Sequence, residues 1–184
     1  MSGVIEETLS KYARGLVFVY TGDGKGKTTA AMGQALRAVG HGLRVLMLQF
    51  MKGRKYGEVL AAEKYLPDIT IHQCGLDSFV MRNKPAPVDV ELAQQGLNLA
   101  RQALSSGEYH MVILDEINVA LDFGLVSVHE VAEMIQKRNP SVHVVLTGRY
   151  APPEIVEMAD TVSEVCEIKH HYAKGIKERA GIEY

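Results

Sequence analysis

Apolar and polar positions along this chain follow two alternating rhythms. Short runs rich in Val, Ile and Leu, at 16–20, 44–50, 69–72, 110–115, 142–147 and 161–168, have the length and composition of strands. Between them, apolar residues recur at three- and four-residue spacing over 27–39, 58–65, 88–105, 127–137 and 153–158, which predicts helices. Strands alternating with helices in this way imply right-handed βαβ units and a mainly parallel sheet with helices on its faces. Ligands of such sheets sit beyond the carboxyl ends of the strands. Two stretches break the rhythm: 75–87, which carries Asn83-Lys84-Pro85-Ala86-Pro87, and the polar tail 170–184. Both are expected to be loops that close over a site.

The turn between the first strand and the first helix reads Thr21-Gly22-Asp23-Gly24-Lys25-Gly26-Lys27-Thr28-Thr29. A strand, a glycine-rich turn and a helix start form the setting in which a Gly-Lys-Thr sequence binds a triphosphate. Three glycines let backbone N–H groups converge on phosphate oxygens without an obstructing Cβ. Lys27 would neutralise the phosphates, and the Thr28 hydroxyl is placed to ligate Mg²⁺. The usual pattern begins with Gly five positions before the second Gly, where this chain has Thr21; Gly22 stands one step later. The loop is therefore a variant whose phosphate geometry departs from the common one. Lys25 is either a further phosphate ligand or a solvated lysine.

A second motif, Met111-Val112-Ile113-Leu114-Asp115-Glu116, is an apolar strand ending in two carboxylates. Downstream of a phosphate loop, such a strand end is where a nucleotide enzyme holds Mg²⁺, through Asp115 or Glu116, directly or through water. Loop and acid pair together predict a three-layer α/β sandwich around a mainly parallel central sheet, of P-loop NTPase (RecA-like) architecture. Leu146-Thr147-Gly148-Arg149 closes a strand at the same sheet edge, where Arg149 contacts either phosphate or a surface acid. No nucleophile and base pair is identifiable. Catalysis by positioning and electrostatics, with the nucleophile on the second substrate, fits that absence.

Composition bounds the alternatives. A chain of 184 residues with 47% hydrophobic and 23% charged residues suits one soluble domain, 1–184, with a sizeable core. A net charge of -2 advertises no basic surface, so neither nucleic acid nor an anionic membrane is an expected partner. Cys74 and Cys166 stand far apart and form no CxxC, which predicts small, partly buried thiols with neither disulfide nor zinc. His170-His171 is the only adjacent histidine pair and is expected to be solvated or locally hydrogen-bonded. Residues 1–14 contain Glu6, Glu7, Lys11 and Arg14 without an apolar core, and no stretch reaches the roughly 20 apolar residues of a membrane span. The expected location is the cytoplasm.

The ordered set of motifs resembles the ATP:corrinoid adenosyltransferases that make adenosylcobalamin. The resemblance is carried by 20–31, by Arg37-Ala38-Val39-Gly40-His41-Gly42, by Gln49-Phe50-Met51-Lys52-Gly53, by Leu114-Asp115-Glu116 and by Leu146-Thr147-Gly148-Arg149. It continues through Ala159-Asp160-Thr161-Val162-Ser163-Glu164 and the closing Lys169-His170, Gly175-Ile176-Lys177 and Gly181-Ile182-Glu183-Tyr184. It implies that Gly22, Asp23, Gly24, Lys25, Gly26, Lys27, Thr28 and Thr29 hold the ATP triphosphate, and that Thr28 with Glu116 binds Mg²⁺. ATP is reversed in this family, consistent with the displaced glycine. The implied reaction is attack by cobalt(I) of a reduced corrinoid on the ribose 5′-carbon, with triphosphate leaving whole. A flavoprotein electron donor and a homodimer are further implications.

Enteric members carry a Phe-x-Trp pair after the third strand, facing the corrinoid. This chain has no Trp and reads Ser78-Phe79-Val80-Met81. The resemblance puts Phe79 and Met81 in those places, within a corrinoid-facing loop 75–87; ordinary loop packing is the other reading. Residues 1–14 would form a lid, shorter than in those relatives. Loop and acid pair alone also allow a small-molecule kinase or ATPase, and a non-catalytic nucleotide- or corrinoid-binding module is the remaining alternative.

Overall fold

The computed structural model describes residues 14–78, 80–82 and 84–184. Its strands are β1 (Val17–Thr21), β2 (Val45–Phe50), β3 (Ile69–Cys74), β4 (Met111–Asp115), β5 (His143–Thr147) and β6 (Thr161–Glu164). Its helices are α1 (Lys27–Gly40), α2 (Gly57–Tyr65), α3 (Pro87–Ser106), α4 (Ile117–Asp122), α5 (Val128–Gln136) and α6 (Pro153–Met158), followed by a 3₁₀ turn at His171–Lys174. All six strands pair in parallel, in the order β3-β2-β4-β5-β1-β6. The expected α/β architecture is what forms. The acid-bearing strand β4 lies one strand away from the loop-bearing β1, with β5 between them.

Alternation along each strand sorts side chains onto two faces. Val17, Val19, Leu46, Leu48, Phe50, Val112, Leu114, Val144 and Leu146 belong to one buried cluster with residues of α3, α4, α5 and α6. Val45, Met47, Met111, Ile113 and Val145 belong to the other, with Ala31, Ala35 and Ala38 of α1 and Ala62 of α2. Small residues on α1 let that helix lie close to the sheet. Each fully buried Leu, Ile or Val contributes about 1.5–3 kcal/mol.

The same alternation explains what happens at the carboxyl edge. Gln49, Asp115 and Thr147 share strand parity with Met47, Ile113 and Val145, so they continue the α1 face as it reaches the site. All three are fully buried. Gln73 is in register with Gln49, and Gln49 with Asp115, forming a polar row across neighbouring strands.

Three expectations change. Helix α4 escapes the periodicity argument because Ile117, Asn118, Ala120 and Leu121 are all buried, leaving no polar face to set the rhythm. The last strand stops at Glu164 rather than 168, since the chain there turns to brace the phosphate loop. Ser127, expected inside a helix, is instead the cap of α5 and shares a capping box with Glu130.

Candidate functional site

Helix α1 begins at Gly26 with φ 121° and has no side-chain cap, so its first N–H groups are left for an anion. In the loop before it, Lys27 Nζ donates to the carbonyl oxygens of Gly22 and Gly24, both at 2.7 Å. Burial pushes this ammonium below the ordinary lysine range. The glycines have separate reasons. A Cβ on Gly22 or Gly24 would stand 2.6–2.7 Å from the carbonyl oxygen of Val165 or Cys166, whereas Gly26 faces open space and needs glycine only for its positive φ. The obstruction that the first two avoid is thus the chain leaving β6.

Asp115 is the hub of the site. Its Oδ1 accepts from Thr28 Oγ1 at 2.8 Å and from Thr147 Oγ1 at 2.6 Å. Its Oδ2 accepts from Lys52 Nζ at 2.7 Å and from Gln49 Nε2 at 3.3 Å. A fully buried carboxylate is tolerable only with such a partner set. Burial alone would lower the Lys52 pKa, but the Asp115 and Glu116 carboxylates outweigh it and hold the ammonium above its usual range. Glu116 differs from its neighbour. Its backbone N–H donates to Thr147 Oγ1 at 2.9 Å, and the residue lines the open cavity. Burial, and next the Asp115 charge, raise its carboxyl above the ordinary glutamate value.

Among the described residues, Met51, Glu116 and Tyr150 are the only non-glycine positions with positive φ, at 57°, 61° and 63°. Each follows the carboxyl end of a strand, β2, β4 or β5, on the edge that carries the site. Left-handed backbone at such residues is costly and gathers where function demands a fixed direction.

Residues from Asp23 through Thr29, with Lys52, Glu116 and Arg149, line a cavity of about 520 Å³. This is an ordinary size for a small-molecule site. Arg149 Nη2 donates to the Asp23 carbonyl at 3.0 Å, so it braces the loop while facing the cavity. The far wall is the tail: His170, Glu178 and Gly181 to Tyr184. Tyr184 lies against the Arg54 guanidinium at 4.1 Å, and Glu183 stands 3.3 Å from His171 Nε2 and 3.9 Å from Lys25 Nζ. His170 Nδ1 accepts from the Tyr172 N–H, and the two imidazoles stack at 4.5 Å. The tail thus borders the site, and the histidines are locally bonded as expected.

Among the described residues of the loop 75–87, none lines this cavity. Met81 is 68% exposed and Phe79 lies outside the described residues, as do residues 1–13 of the expected lid. Arg14 pairs with Asp160, whose Oδ2 also accepts from the N–H of Val17, the first residue of β1. Arg82 carries the loop across to Asp122 at 2.6 Å and to the Tyr150 ring at 5.1 Å. Cys74 is buried, which pushes its thiol up to about 11, whereas Cys166 is exposed instead of partly buried because it sits on the chain leaving the edge strand. Sequence reasoning passed over Lys52, Gln49 and Thr147 as individual residues. The detectable signal was a polar residue at the same parity near the end of each of three neighbouring strands.

With this geometry in place, comparison with known proteins is informative. Residues 13–184 match the family described as ATP:corrinoid adenosyltransferase BtuR/CobO/CobP. A corrinoid adenosyltransferase of Pseudomonas aeruginosa is 35% identical over 184 residues, covering 98% of this chain and 90% of that protein. One from Sinorhizobium is 36% identical, over 93% of this chain and 81% of its own length. One from Escherichia coli is 36% identical, over 93% and 86%.

Proposed function

The chain belongs to the ATP:corrinoid adenosyltransferase family and is an enzyme of that activity, and from this premise we propose how its residues perform the transfer. The enzyme moves the 5′-deoxyadenosyl group of ATP to the cobalt of a corrinoid in the cobalamin pathway. An electron pair on cobalt(I) forms the bond to C5′, the C5′–O bond breaks, and its electrons leave with triphosphate; cobalt becomes formally cobalt(III). The protein need supply no nucleophile. Its task is to align carbon with cobalt and to stabilise charge on the departing triphosphate.

The residues from Gly22 to Thr29 would hold that triphosphate, with Lys27 as the principal cation. The observation that carries this reading is the cavity over the uncapped start of α1, with Lys27, Thr28, Glu116 and Arg149 in its walls. Lys27 rests on the carbonyls of Gly22 and Gly24 and would exchange them for phosphate oxygens. Asp23, Lys25 and Thr29 face the same space. The displaced glycine, together with a Gly24 N–H turned away toward Val165, supports a nucleotide bound in the reversed sense.

Thr28 and Glu116 fit Mg²⁺, because a hydroxyl and a cavity-facing carboxylate are hard oxygen donors. Such an ion would supply positive charge where the triphosphate departs. Asp115 would act from behind, fixing the Thr28 hydroxyl through the 2.8 Å hydrogen bond. Phe79 and Met81 would present apolar surface to the corrinoid face; the exposure of Met81 on a loop leaving the carboxyl end of β3 supports this. The two apolar clusters on one sheet support a single domain; a lid formed by residues 1–14 rests on the family resemblance alone. A homodimer and a flavoprotein donor follow from the family resemblance, and a cytoplasmic site from the composition of residues 1–14; no helix among the described residues is long and apolar enough to cross a membrane.

Incubation with ATP, Mg²⁺ and chemically reduced cobalamin should yield a carbon–cobalt bond, seen in the visible spectrum, and inorganic triphosphate. Formation of ADP and no alkylated corrinoid would overturn the reading.

A further inference from the structure

We propose that Lys52 is a further substrate-binding residue of the transfer, a movable cation. It neutralises Asp115 while the phosphate site is empty and shifts onto the triphosphate when a divalent ion takes its place beside Thr28. The inference rests on the adenosyltransferase reading and adds a role for a side chain to which that reading assigns none.

The argument begins with the Thr28 hydroxyl. Its proton is directed to Asp115 Oδ1 at 2.8 Å, and its oxygen accepts from Lys52 Nζ at 3.3 Å. A hydroxyl has one proton and two lone pairs. A divalent ion on the remaining lone pair would stand within a few ångströms of the Lys52 ammonium, and like charges that close repel, so ammonium and divalent ion compete for the space beside this oxygen. The competition has a structural cause. Asp115 is fully buried, and without a cation its charge would be stranded in the protein interior. Lys52 supplies that cation at 2.7 Å.

Once displaced, the ammonium has a short path to phosphate. Lys52 lines the same cavity as Lys27, Thr28 and Arg149, and four methylenes let its head swing without backbone motion. The backbone is held. Met51, just before it, has φ 57°, and Gly53 and Gly75 bring two loops into direct contact. A Cβ on Gly53 would stand 2.5 Å from the Leu76 carbonyl carbon, and one on Gly75 would stand 2.6 Å from the Lys52 nitrogen. The root of the side chain is fixed while its charged end is free to exchange partners. Lys52 would thus join Lys27 and Arg149 in stabilising charge on the leaving triphosphate.

The test uses Lys52→Met, which keeps much of the length and removes the charge. Binding of inorganic triphosphate with Mg²⁺, followed by calorimetry, should weaken roughly 10- to 100-fold, the range for a lost hydrogen bond to a charged group. Binding of Mn²⁺ alone, followed by electron paramagnetic resonance, should tighten, because the competing cation is gone. Lys52→Arg should retain most of the triphosphate affinity. Wild-type triphosphate affinity in folded Lys52→Met, or weaker Mn²⁺ binding, would overturn the proposal. If Lys52→Met does not fold, the double variant Lys52→Met with Asp115→Asn, which buries neither charge, is compared with Asp115→Asn alone. A further loss of triphosphate affinity in the double variant supports the proposal and equal affinity overturns it. Product analysis separates the two levels. ADP formation by the wild type refutes the transferase reading. Triphosphate and adenosylated corrinoid from the wild type, with unaltered triphosphate binding in Lys52→Met, refute only this inference.

Discussion

The backbone N–H of Gly24 donates to the carbonyl oxygen of Val165 at 2.6 Å, so the phosphate loop is held by the segment that leaves the edge strand β6. Two parts of the chain far apart in sequence therefore share one conformation. The loop's glycine content answers to this contact as much as to phosphate.

A Cβ at Gly24 would stand 2.7 Å from the Cys166 carbonyl oxygen, closer than real Cβ atoms approach. Gly24→Ala should therefore shift the loop and raise the KM for ATP about tenfold or more, with a lower melting temperature. Gly33 is exposed within α1, and a Cβ there meets nothing within 4 Å. Gly33→Ala should stabilise the protein by about 0.5–1 kcal/mol through helix propensity. Urea unfolding of both variants measures the contrast; destabilisation by Gly33→Ala would show that the cavity-side helix is strained.

Lys27 is the cation most deeply set in the loop, donating to two carbonyls at 2.7 Å. Lys27→Ala should lower turnover by roughly 10²–10³-fold, as expected for loss of one preorganised charge at a departing group. Corrinoid binding, followed by its absorbance, should largely survive. Equal loss of both would point to a misfolded variant.

Thr147 donates to Asp115 Oδ1 at 2.6 Å in buried surroundings and accepts from the Glu116 N–H at 2.9 Å in half-buried ones. Thr147→Val keeps the shape and removes both bonds. It should cost about 1–3 kcal/mol of stability, read as a shift of several degrees in thermal melting. Because the same hydroxyl joins the two carboxylates, the Mg²⁺ concentration for half-maximal activity should rise as well. An unchanged melting temperature would mean that water replaces the hydroxyl.

His110 and His143 meet near the amino ends of β4 and β5. Their Nδ1 atoms accept from the N–H groups of Arg44 at 2.9 Å and Leu16 at 3.1 Å. Burial, followed by nearby Arg44 for His110 and Arg138 for His143, lowers both below the ordinary 6.5. The unfolded chain then takes up protons first as pH falls. Stability is full above about 6.5 and is lost as pH drops through the folded values. Urea unfolding at pH 7.5 and pH 5.5 should show this loss, and the histidine proton resonances should titrate below 6.5. Normal titration of both would remove the explanation.

Much of this arrangement is legible locally. The periodicities of 27–39 and 58–65 come within a residue of α1 and α2 because each helix shows the sheet one face and the solvent another. Helix α4 was missed because burial leaves its residues no polar side to mark a period. The end of β6 at Glu164 is not legible because the strand pairs with β1 only that far and then meets the phosphate loop, and no alternation records where a strand stops pairing. At the site, the glycine loop and Asp115-Glu116 were legible as motifs, but their internal division was not. Adjacent carboxylates look alike in sequence, yet strand parity sends Asp115 into the sheet's interior edge, while the left-handed turn at φ 61° puts Glu116 at the cavity.

The amino-acid order alone was therefore enough for the α/β class, the phosphate loop and the acid-bearing strand, because each depends on side-chain type and short-range spacing. The order β3-β2-β4-β5-β1-β6 decided the rest. It puts Gln49 and Thr147 on either side of Asp115, brings Lys52 to its second oxygen and carries the chain after β6 beneath the glycines. Those contacts join residues tens of positions apart. Hydrogen bonding and the burial of a charge act through space, so only the assembled sheet determines which groups must satisfy one another.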